Sequence, residues 1–327
     1  MLPRETVIAA YRWLLGRMPE DAAAITYHQS FADEDALRLA LLTSPEFRAR
    51  FEALDMAEIE GAPGDVLPLP QGVATALSAA EEAALWARIA AAWARLGETE
   101  PHWSVLTVEG FRAARRAEDA AAHAAAFAAS ADFDLGLVEA ALARAPDLDP
   151  AAASCLELGC GVGRVTAGLA RRFRSVAAFD ISAPHLAEAE AALAAEGLGN
   201  VAFTRLTAPG DLAGDAEPID LFFSRLVLQH NPPALQARLL GAALARLAPG
   251  GLALFQVLSH LEGYRDGADP GGGDDGMELH PLPQPAVFAL LAEAGLTPLE
   301  VQSDLAGGAD RRLRTHLFLA RRPRRAP

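Results

Sequence analysis

The sequence of 327 residues contains only two cysteines, Cys155 and Cys160. Two thiols are too few for a disulfide scaffold, and their separation lacks the paired spacing of a zinc site. We therefore expect no metal site and a reducing, cytoplasmic location. Long apolar runs are also missing, because Arg12 interrupts the apolar stretch 7–15, which repeats at helical spacing. This pattern argues against a secretory signal, and no stretch is long enough to predict a membrane span.

Basic side chains are scarce: 28 Lys and Arg stand against 43 Asp and Glu, which gives a formal net charge of −15. Such a balance repels phosphate backbones and anionic membrane surfaces. Nucleic acid is therefore not expected as a partner. The composition carries no signal for an oligomeric state.

The chain is predicted to divide into four parts. Residues 1–57 show apolar side chains at helical spacing and predict a small helical module. Residues 58–76 are rich in Pro and Gly without periodicity, which indicates a linker. Residues 77–150 predict a helical segment that packs on or caps the carboxy-terminal domain, with 111–142 as further helix. From 151 to 327, short apolar runs alternate with helical patterns, as in a doubly wound α/β domain with a mostly parallel sheet.

The boundaries within this last part are set by the pattern and by the turn residues. The predicted strands are 154–158, 176–179, 201–206, 219–223 and 252–258, and the predicted helices are 164–173, 183–196, 233–247 and 285–294. Ser182 is suited to begin one helix and Gly197 to end it. Two final runs, 299–302 and 315–320, are predicted to pair as an edge hairpin.

A glycine-rich loop comes after the first predicted strand, with glycines at 159, 161 and 163. Glycine lets a ligand approach the main chain and allows positive φ, while the next helix directs unpaired N–H groups to the same place. Asp180 ends the second strand. In an open parallel sheet its carboxylate then lies beside the same crevice and can accept both hydroxyls of a ribose. The pattern therefore predicts a nucleoside-like cofactor.

Two cofactors compete for this geometry. Dinucleotide sites use G-x-G-x-x-G, whereas the third glycine here comes one residue earlier. Glu157 also precedes the loop, and a carboxylate opposes a pyrophosphate but suits the ammonium and sulfonium of S-adenosylmethionine. Both details favour the methyl donor over a nicotinamide dinucleotide and its oxidoreductase chemistry.

The chain resembles the class I S-adenosylmethionine-dependent methyltransferase family in four stretches. These are LELGCGVGR at 156–164, FDIS at 179–182, DLFFSRLVLQH at 220–230 and LARLAPGGLALF at 244–255. The resemblance implies a seven-stranded sheet with an antiparallel last strand. It also implies that Glu157, Gly159 and Gly161 line the methionine end, that Asp180 holds the ribose and that Ile181 packs on the adenine.

The remaining cofactor-binding positions predicted on this basis are Cys160, Gly163, Thr207 and Ser224. Many relatives carry an acidic residue after the third strand that binds the adenine amino group. The aligned position here is Thr207, with Asp211 four residues later. The chain departs from the family pattern at this contact.

Two histidines are candidates for the base that some acceptors require. His280 lies in an insertion, 259–284, that is predicted to form a lid over the substrate side, and a neutral imidazole there can accept a proton from a hydroxyl. His230 ends the fourth-strand motif. The alternatives are a hydrogen-bonding role for His280 and a turn-fixing role for His230. The predicted acceptor is a hydroxyl, amine or carboxyl group of a small molecule.

The first fifty residues resemble a small helical domain of unknown function in bacterial surface-polysaccharide proteins. The resemblance rests on YRWLLGR at 11–17 and SPEF at 44–47. It implies a bacterial source, a link to polysaccharide biosynthesis and a glycan intermediate as acceptor. The alternative is a bundle that only packs on the catalytic domain.

A second alternative concerns the function of the whole chain: a regulator or scaffold that binds S-adenosylmethionine without transferring its methyl group.

Overall fold

A computed structural model describes residues 1–15, 17–47, 73, 75–213, 217–265, 277–304 and 312–324. The chain divides into two compact units, Met1–Pro70 and Gln71–Pro327. The predicted linker 58–76 lies almost entirely outside the described residues, as does the middle of the predicted lid, residues 266–276. Within the described ranges, no helix combines the length and apolarity needed to cross a bilayer.

The first unit is built from short helices: α1 (Arg4–Ala10), which continues into a π-helical turn at Tyr11–Leu15, α2 (Ala22–Gln29) and α3 (Glu34–Leu42). Asp21 and Asp33 cap α2 and α3 by accepting a hydrogen bond from the backbone N–H three residues on. The helices bury a small shared core made of Leu2, Val7, Tyr11, Leu15, Leu37 and Leu41.

The two sequence stretches that carry the amino-terminal resemblance are joined by an ion pair. Arg17 donates to both carboxylate oxygens of Glu46 at 2.5 Å and to Glu20 at 2.7 Å. Its guanidinium also lies over the ring of Tyr11, 5.1 Å from the centroid. The arginine of the first stretch and the glutamate of the second therefore hold each other in place.

The second unit begins with five helices: α4 (Ala79–Thr99), α5 (Pro101–Val105), α6 (Ala113–Glu118), α7 (Ala120–Ala129) and α8 (Asp132–Ala143). Helix α4 begins at a capping box in which Ser78 and Glu81 satisfy each other's backbone N–H groups. The stretch predicted as continuing helix, 111–142, is instead broken into α6, α7 and α8. Asp119 ends α6 with φ −149° and caps α7 by accepting a hydrogen bond from the backbone N–H of Ala122. Its short polar side chain favours such a capping position over the interior of a helix.

Within the described ranges, seven strands form one sheet: β1 (Ser154–Leu158), β2 (Ser175–Asp180), β3 (Val201–Arg205), β4 (Ile219–Ser224), β5 (Leu247–Leu261), β6 (Thr297–Asp304) and β7 (Leu313–Arg321). The helices that connect them are α9 (Thr166–Ala170), α10 (Ala183–Ala195), α11 (Pro233–Ala245) and α12 (Gln284–Glu293). Ser182 caps α10 as predicted, and Gly197 comes after it at φ +73°.

The strand order is β3-β2-β1-β4-β5-β7-β6. The first five strands are parallel, whereas β7 runs antiparallel to both β5 and β6. The doubly wound, mostly parallel seven-stranded fold is thus confirmed, including the antiparallel last strand. The order reverses between β1 and β4, and in such sheets the crevice at the carboxyl ends beside this reversal is where ligands bind.

Helix α4 packs against the sheet and against α10. Its buried Trp86 and Ile89 join a core cluster that includes Leu206 after β3 and Leu239 on α11. Near its end, a Cβ placed on Gly97 would lie 2.7 Å from the Ser182 hydroxyl, so only glycine allows this approach. Helix α4 is therefore held close to the carboxyl edge of β2.

Candidate functional site

The loop after β1 is shaped by glycines in the left-handed region. Gly159 and Gly161 have φ values of +77° and +54°. A Cβ at Gly159 would come within 2.1 Å of the Val227 side chain, and one at Gly161 within 2.5 Å of Val105. The amide of Gly159 donates to the carbonyl of Phe179 at 2.7 Å, which fixes the loop against the end of β2. Conformation and packing both require glycine here.

Asp180 ends β2 with its carboxylate directed at this loop. One oxygen accepts the backbone N–H of Gly161 and the other accepts that of Ser182, each at 2.8 Å. A carboxylate can accept about four hydrogen bonds, so lone pairs on both oxygens remain for a ligand. Asp180 is buried, with 8% of its surface exposed. Two amides therefore orient an acceptor pair suited to a diol.

A cavity of about 920 Å³, including its open mouth, lies above the loop. The carboxyl ends of β1, β2 and β4 form its floor. The opposite wall comes from the amino-terminal side of the chain, through α4 and α5. The side chains that these two helices contribute are Trp86, Ile89, Trp93, Ser104 and Val105.

Glu157 enters the cavity from β1 and is almost fully buried, with 3% of its surface exposed. Burial disfavours the charged form and raises the pKa of Glu157 from 4.5 to about 7, even though the Thr166 hydroxyl donates to it at 2.6 Å. A cationic ligand beside it would favour the ionised form. The carboxylate is therefore poised to respond to the charge of an occupant.

The predicted cofactor-binding positions fall into two groups. Six line the cavity: Glu157, Gly159, Cys160, Gly161, Asp180 and Ile181. The other three make different contacts. Gly163 packs against Ala189 and Leu193, and the Ser224 hydroxyl donates to the Leu158 carbonyl.

Thr207 is the third of these. It is exposed and donates through both its amide and its hydroxyl to Asp211. Asp211 also accepts from the amide of Ala208 at 2.9 Å. The acidic side chain after β3 is thus engaged in its own turn, consistent with the departure of this position from the family pattern.

A buried charge cluster stands beside the loop. Asp134 on α8 accepts from Arg164 at 2.5 Å and from Arg225 at 2.7 Å, and Arg225 also contacts Asp304 at 3.2 Å. Asp134 and both arginines line the cavity. Two arginines and two aspartates balance in charge, which is how buried ions are tolerated. Sequence reasoning missed Asp134 and Arg225, because their partners are far apart in the chain.

A second cavity, about 1390 Å³ with its open mouth, adjoins the first. Both are lined by Ser104, Val105, Arg225 and Leu226. Leu226 has φ +62°, the only positive φ of a non-glycine residue in the described part of the chain. Its amide donates to Gln256 at 3.0 Å, which stabilises this strained turn.

His230 lines the second cavity, whereas His280 lines neither. The Nδ1 of His230 lies 3.0 Å from the carbonyl of Glu278, and because a carbonyl only accepts, Nδ1 carries the proton. The Nε2 atom holds a lone pair, which accepts a long hydrogen bond of 3.4 Å from the side-chain amide of Gln229. Burial lowers the pKa of His230 from 6.5 to about 4, so the ring is neutral at pH 7. The ring of Trp93, on the wall of the first cavity, meets it edge-on at 5.2 Å.

His280 is enclosed by a hydrogen-bonded group of its own. Its Nδ1 lies 3.0 Å from the Tyr264 hydroxyl and its Nε2 lies 3.1 Å from Glu278. Glu278 in turn contacts Arg88 of α4. Among the described residues, His, Cys, Asp and Glu side chains do not gather into a group able to hold a metal ion.

Residues 155–251 match a protein family described as "Methyltransferase domain". Trans-aconitate 2-methyltransferase from Deinococcus radiodurans is 37% identical over 107 residues, which cover 32% of this chain and 38% of that protein. The chain thus spans less than half the length of this curated relative.

The similar solved structures include two methyltransferases. Magnesium protoporphyrin IX methyltransferase from Synechocystis PCC 6803, with bound SAH, is 19% identical with a TM-score of 0.45, over 60% of this chain and 82% of that one. N-methyltransferase NodS from Bradyrhizobium japonicum WM9, in complex with S-adenosyl-l-homocysteine, is 20% identical with a TM-score of 0.40, over 52% and 78%.

The match is to a methyltransferase domain, whose methyl donor is S-adenosyl-L-methionine, and the glycine loop lies within the matched region. The first cavity fits that cofactor by its chemistry. Bare peptide groups line its floor, an oriented carboxylate stands at Asp180, and a second carboxylate at Glu157 suits a cationic group.

Proposed function

We propose that this chain is an S-adenosyl-L-methionine-dependent methyltransferase that holds the cofactor in the first cavity and a small-molecule acceptor in the second. The observation that carries the proposal is the wall shared by the two cavities, formed by Ser104, Val105, Arg225 and Leu226. A donor and an acceptor in adjoining cavities are positioned for an in-line displacement, in which alignment supplies most of the catalysis.

The bound cofactor supplies a methyl group already activated by a sulfonium. In this proposal the carboxylate of Asp180 accepts hydrogen bonds from the ribose hydroxyls, and the peptide groups of Gly159 and Gly161 lie against the amino acid end. Glu157 ionises beside the cationic part of the cofactor, and Ile181 packs on the base. These roles rest on the placement of each group on the cavity wall.

His230 is proposed as the proton acceptor. Its Nε2 lone pair belongs to a neutral imidazole on the wall of the acceptor cavity. A pKa near 4 makes it a weak base toward a free alcohol. A hydroxyl that has begun to bond to a methyl group is far more acidic, so a weak base suffices as the transfer proceeds. His280 is proposed to support Glu278, whose carbonyl orients His230.

The lining of the second cavity favours an acceptor with an apolar body. Of the fifteen described residues that line it, nine are apolar, among them Trp103, Leu106, Leu258 and Leu279. The cation there, Arg225, already contacts Asp134 and Asp304. We therefore propose a hydroxyl or amine acceptor on a largely apolar molecule in preference to a carboxylate.

A glycan or glycolipid intermediate is the second candidate acceptor. The observation in its favour is the amino-terminal resemblance, in which Arg17 of the first stretch contacts Glu46 of the second. A lipid-linked sugar combines an apolar body with hydroxyl groups. It therefore fits the same cavity chemistry.

The proposal is tested by methyl transfer from isotopically labelled S-adenosylmethionine. The purified chain is incubated with phenols, amines, carboxylic acids and lipid-linked sugars, and products are detected by mass spectrometry. Label in a hydroxyl or amine product supports the proposal, and the acceptor that is labelled distinguishes the two candidates. Cofactor binding in calorimetry without transfer to any of the four classes would instead support a regulator or scaffold.

A further inference from the structure

Trp86 occupies an unusual position for an indole. It lies on α4 with 6% of its surface exposed, and its N–H group is buried without a hydrogen-bond partner in the described part of the protein. Buried donors are nearly always paired in folded proteins. Because Trp86 also lines the first cavity, an acceptor atom of a molecule bound there is a candidate partner for this donor.

Trp86 lines the first cavity together with apolar residues from three other elements. Ile181 comes directly after Asp180 at the end of β2, Leu206 directly after β3, and Leu239 from α11. Together with Ile89 they make an apolar compartment on the β3 side of Asp180. A flat heteroaromatic ring fits such a compartment, provided that its ring nitrogens find donors.

The acidic residue after β3 does not supply a polar contact here, because neither Asp211 nor Thr207 is among the described residues that line the first cavity. One carboxylate oxygen of Asp211 instead accepts three hydrogen bonds from Thr207 and Ala208. The amide of Thr207 is one of those three donors, so it is engaged as well. Ile181 and Leu206, which follow β2 and β3, thus offer apolar surface to the cavity. The orphaned donor comes from the opposite wall.

We propose that the indole N–H of Trp86 donates a hydrogen bond to a ring nitrogen of the cofactor's adenine. A purine ring nitrogen carries an in-plane lone pair, and an indole N–H is a donor only, so the two are complementary. Helix α4 is then part of the cofactor site. This inference rests on the proposed function, since it takes S-adenosylmethionine as the occupant of the first cavity.

The experiment pairs one protein change with one ligand change. Trp86→Phe removes the N–H and retains an apolar ring, while deaza analogues of S-adenosylhomocysteine replace N1, N3 or N7 by a C–H group. Affinities are measured by calorimetry for each combination. The loss of one neutral hydrogen bond is expected to weaken binding about 3- to 10-fold.

The expected result is a cycle that is not additive. One deaza analogue binds the wild-type protein about 3- to 10-fold more weakly than the parent ligand does. The Trp86→Phe variant binds the parent ligand more weakly than the wild-type protein does, by the same factor. The variant then binds that analogue no more weakly than it binds the parent ligand. Unchanged affinity in Trp86→Phe, or losses that multiply for all three analogues, would overturn the inference. If wild-type protein does not bind S-adenosylhomocysteine at all, the proposed function itself fails.

A second measurement does not depend on the variant folding. The sequence has four tryptophans, so 15N-labelled wild-type protein gives few indole signals. S-adenosylhomocysteine should move one indole proton downfield, and the critical deaza analogue should leave that signal at its original position. The absence of any downfield indole shift on binding the parent ligand would contradict the inference.

Discussion

The backbone N–H of Gly161 donates a hydrogen bond of 2.8 Å to the carboxylate of Asp180. This contact joins the loop after β1 to the end of β2, so the two most recognisable sequence features of the site depend on each other. A change at either residue therefore acts on the other.

Asp180→Asn should weaken cofactor binding and leave the fold intact. The amide oxygen retains one acceptor for Gly161 or Ser182, but the charge that strengthens bonds to the ribose hydroxyls is lost. We expect about 10- to 150-fold lower affinity for S-adenosylhomocysteine in calorimetry, since one bond to a charged group contributes about 1.5–3 kcal/mol. Unaltered affinity in a folded variant would contradict the assigned role.

Asp134→Ala should destabilise the protein strongly. It leaves Arg164 and Arg225 without a shared partner while their side chains are only about one-tenth exposed. Breaking a buried ion pair from one side costs about 3–5 kcal/mol. The free energy of unfolding in urea measures this loss.

The control for that experiment is Glu139→Ala on the same helix. Glu139 also pairs with an arginine, Arg172, but its side chain is largely exposed. A surface pair contributes about 0–1 kcal/mol, so stability should hardly change. Equal losses in the two variants would show that helix α8, not the buried charge, determines the effect.

Glu157→Gln should alter how stability depends on pH. The folded pKa of Glu157, about 7, lies above its ordinary value of 4.5, so the folded state binds the proton more tightly than the unfolded state does. The stabilisation by that proton is present at low pH and is lost as pH rises from about 4.5 to 7, by about 3 kcal/mol in all.

The glutamine variant carries no titrating proton at this position. It should gain stability relative to the wild type through that window and hold the gain above pH 7. Urea unfolding at pH 5 and pH 8 in the absence of cofactor measures the difference. A constant offset between the two proteins at both pH values would refute the raised pKa.

His230→Gln should lower the turnover number without changing cofactor affinity. Loss of a general base reduces the rate about 10²- to 10⁴-fold. The measurements are kcat with the acceptor found in the transfer assay and calorimetry with S-adenosylhomocysteine. His280→Gln is the comparison, because His280 lines neither cavity. A larger loss in His280→Gln would reverse the proposed roles.

The sheet could be predicted because its information is local. The strand β1 begins and ends as predicted, and the other parallel strands differ chiefly at their ends, most of all β5, which extends to Leu247 and Leu261 beyond the predicted 252–258. The alternation of apolar and polar residues does not specify where a strand ends, because pairing with a neighbour such as β7 can extend it. The predicted hairpin pairs as β6 and β7, with β6 at the edge.

The walls of the site could be predicted only in part. The glycine loop and Asp180 form a motif readable from spacing, whereas Trp86 and Arg225 reach the cavity through tertiary packing. Trp93, which lies on the same helix as Trp86 and also lines the cavity, appears in the sequence as just another apolar residue of an amphipathic helix. An indole at such a position carries the same sequence signal whether it faces a core or a ligand.

The position of α4 before the sheet has a consequence for biosynthesis. Its apolar face, with Trp86 and Ile89, meets Leu206 and Leu239, which are far later in the chain. During synthesis from the amino terminus this face emerges before its partners exist. Contacts between such distant segments also form slowly, because long loops must close first. The nascent chain thus exposes an aggregation-prone surface until α11 has been made, and chaperones that bind apolar helices should recognise it there.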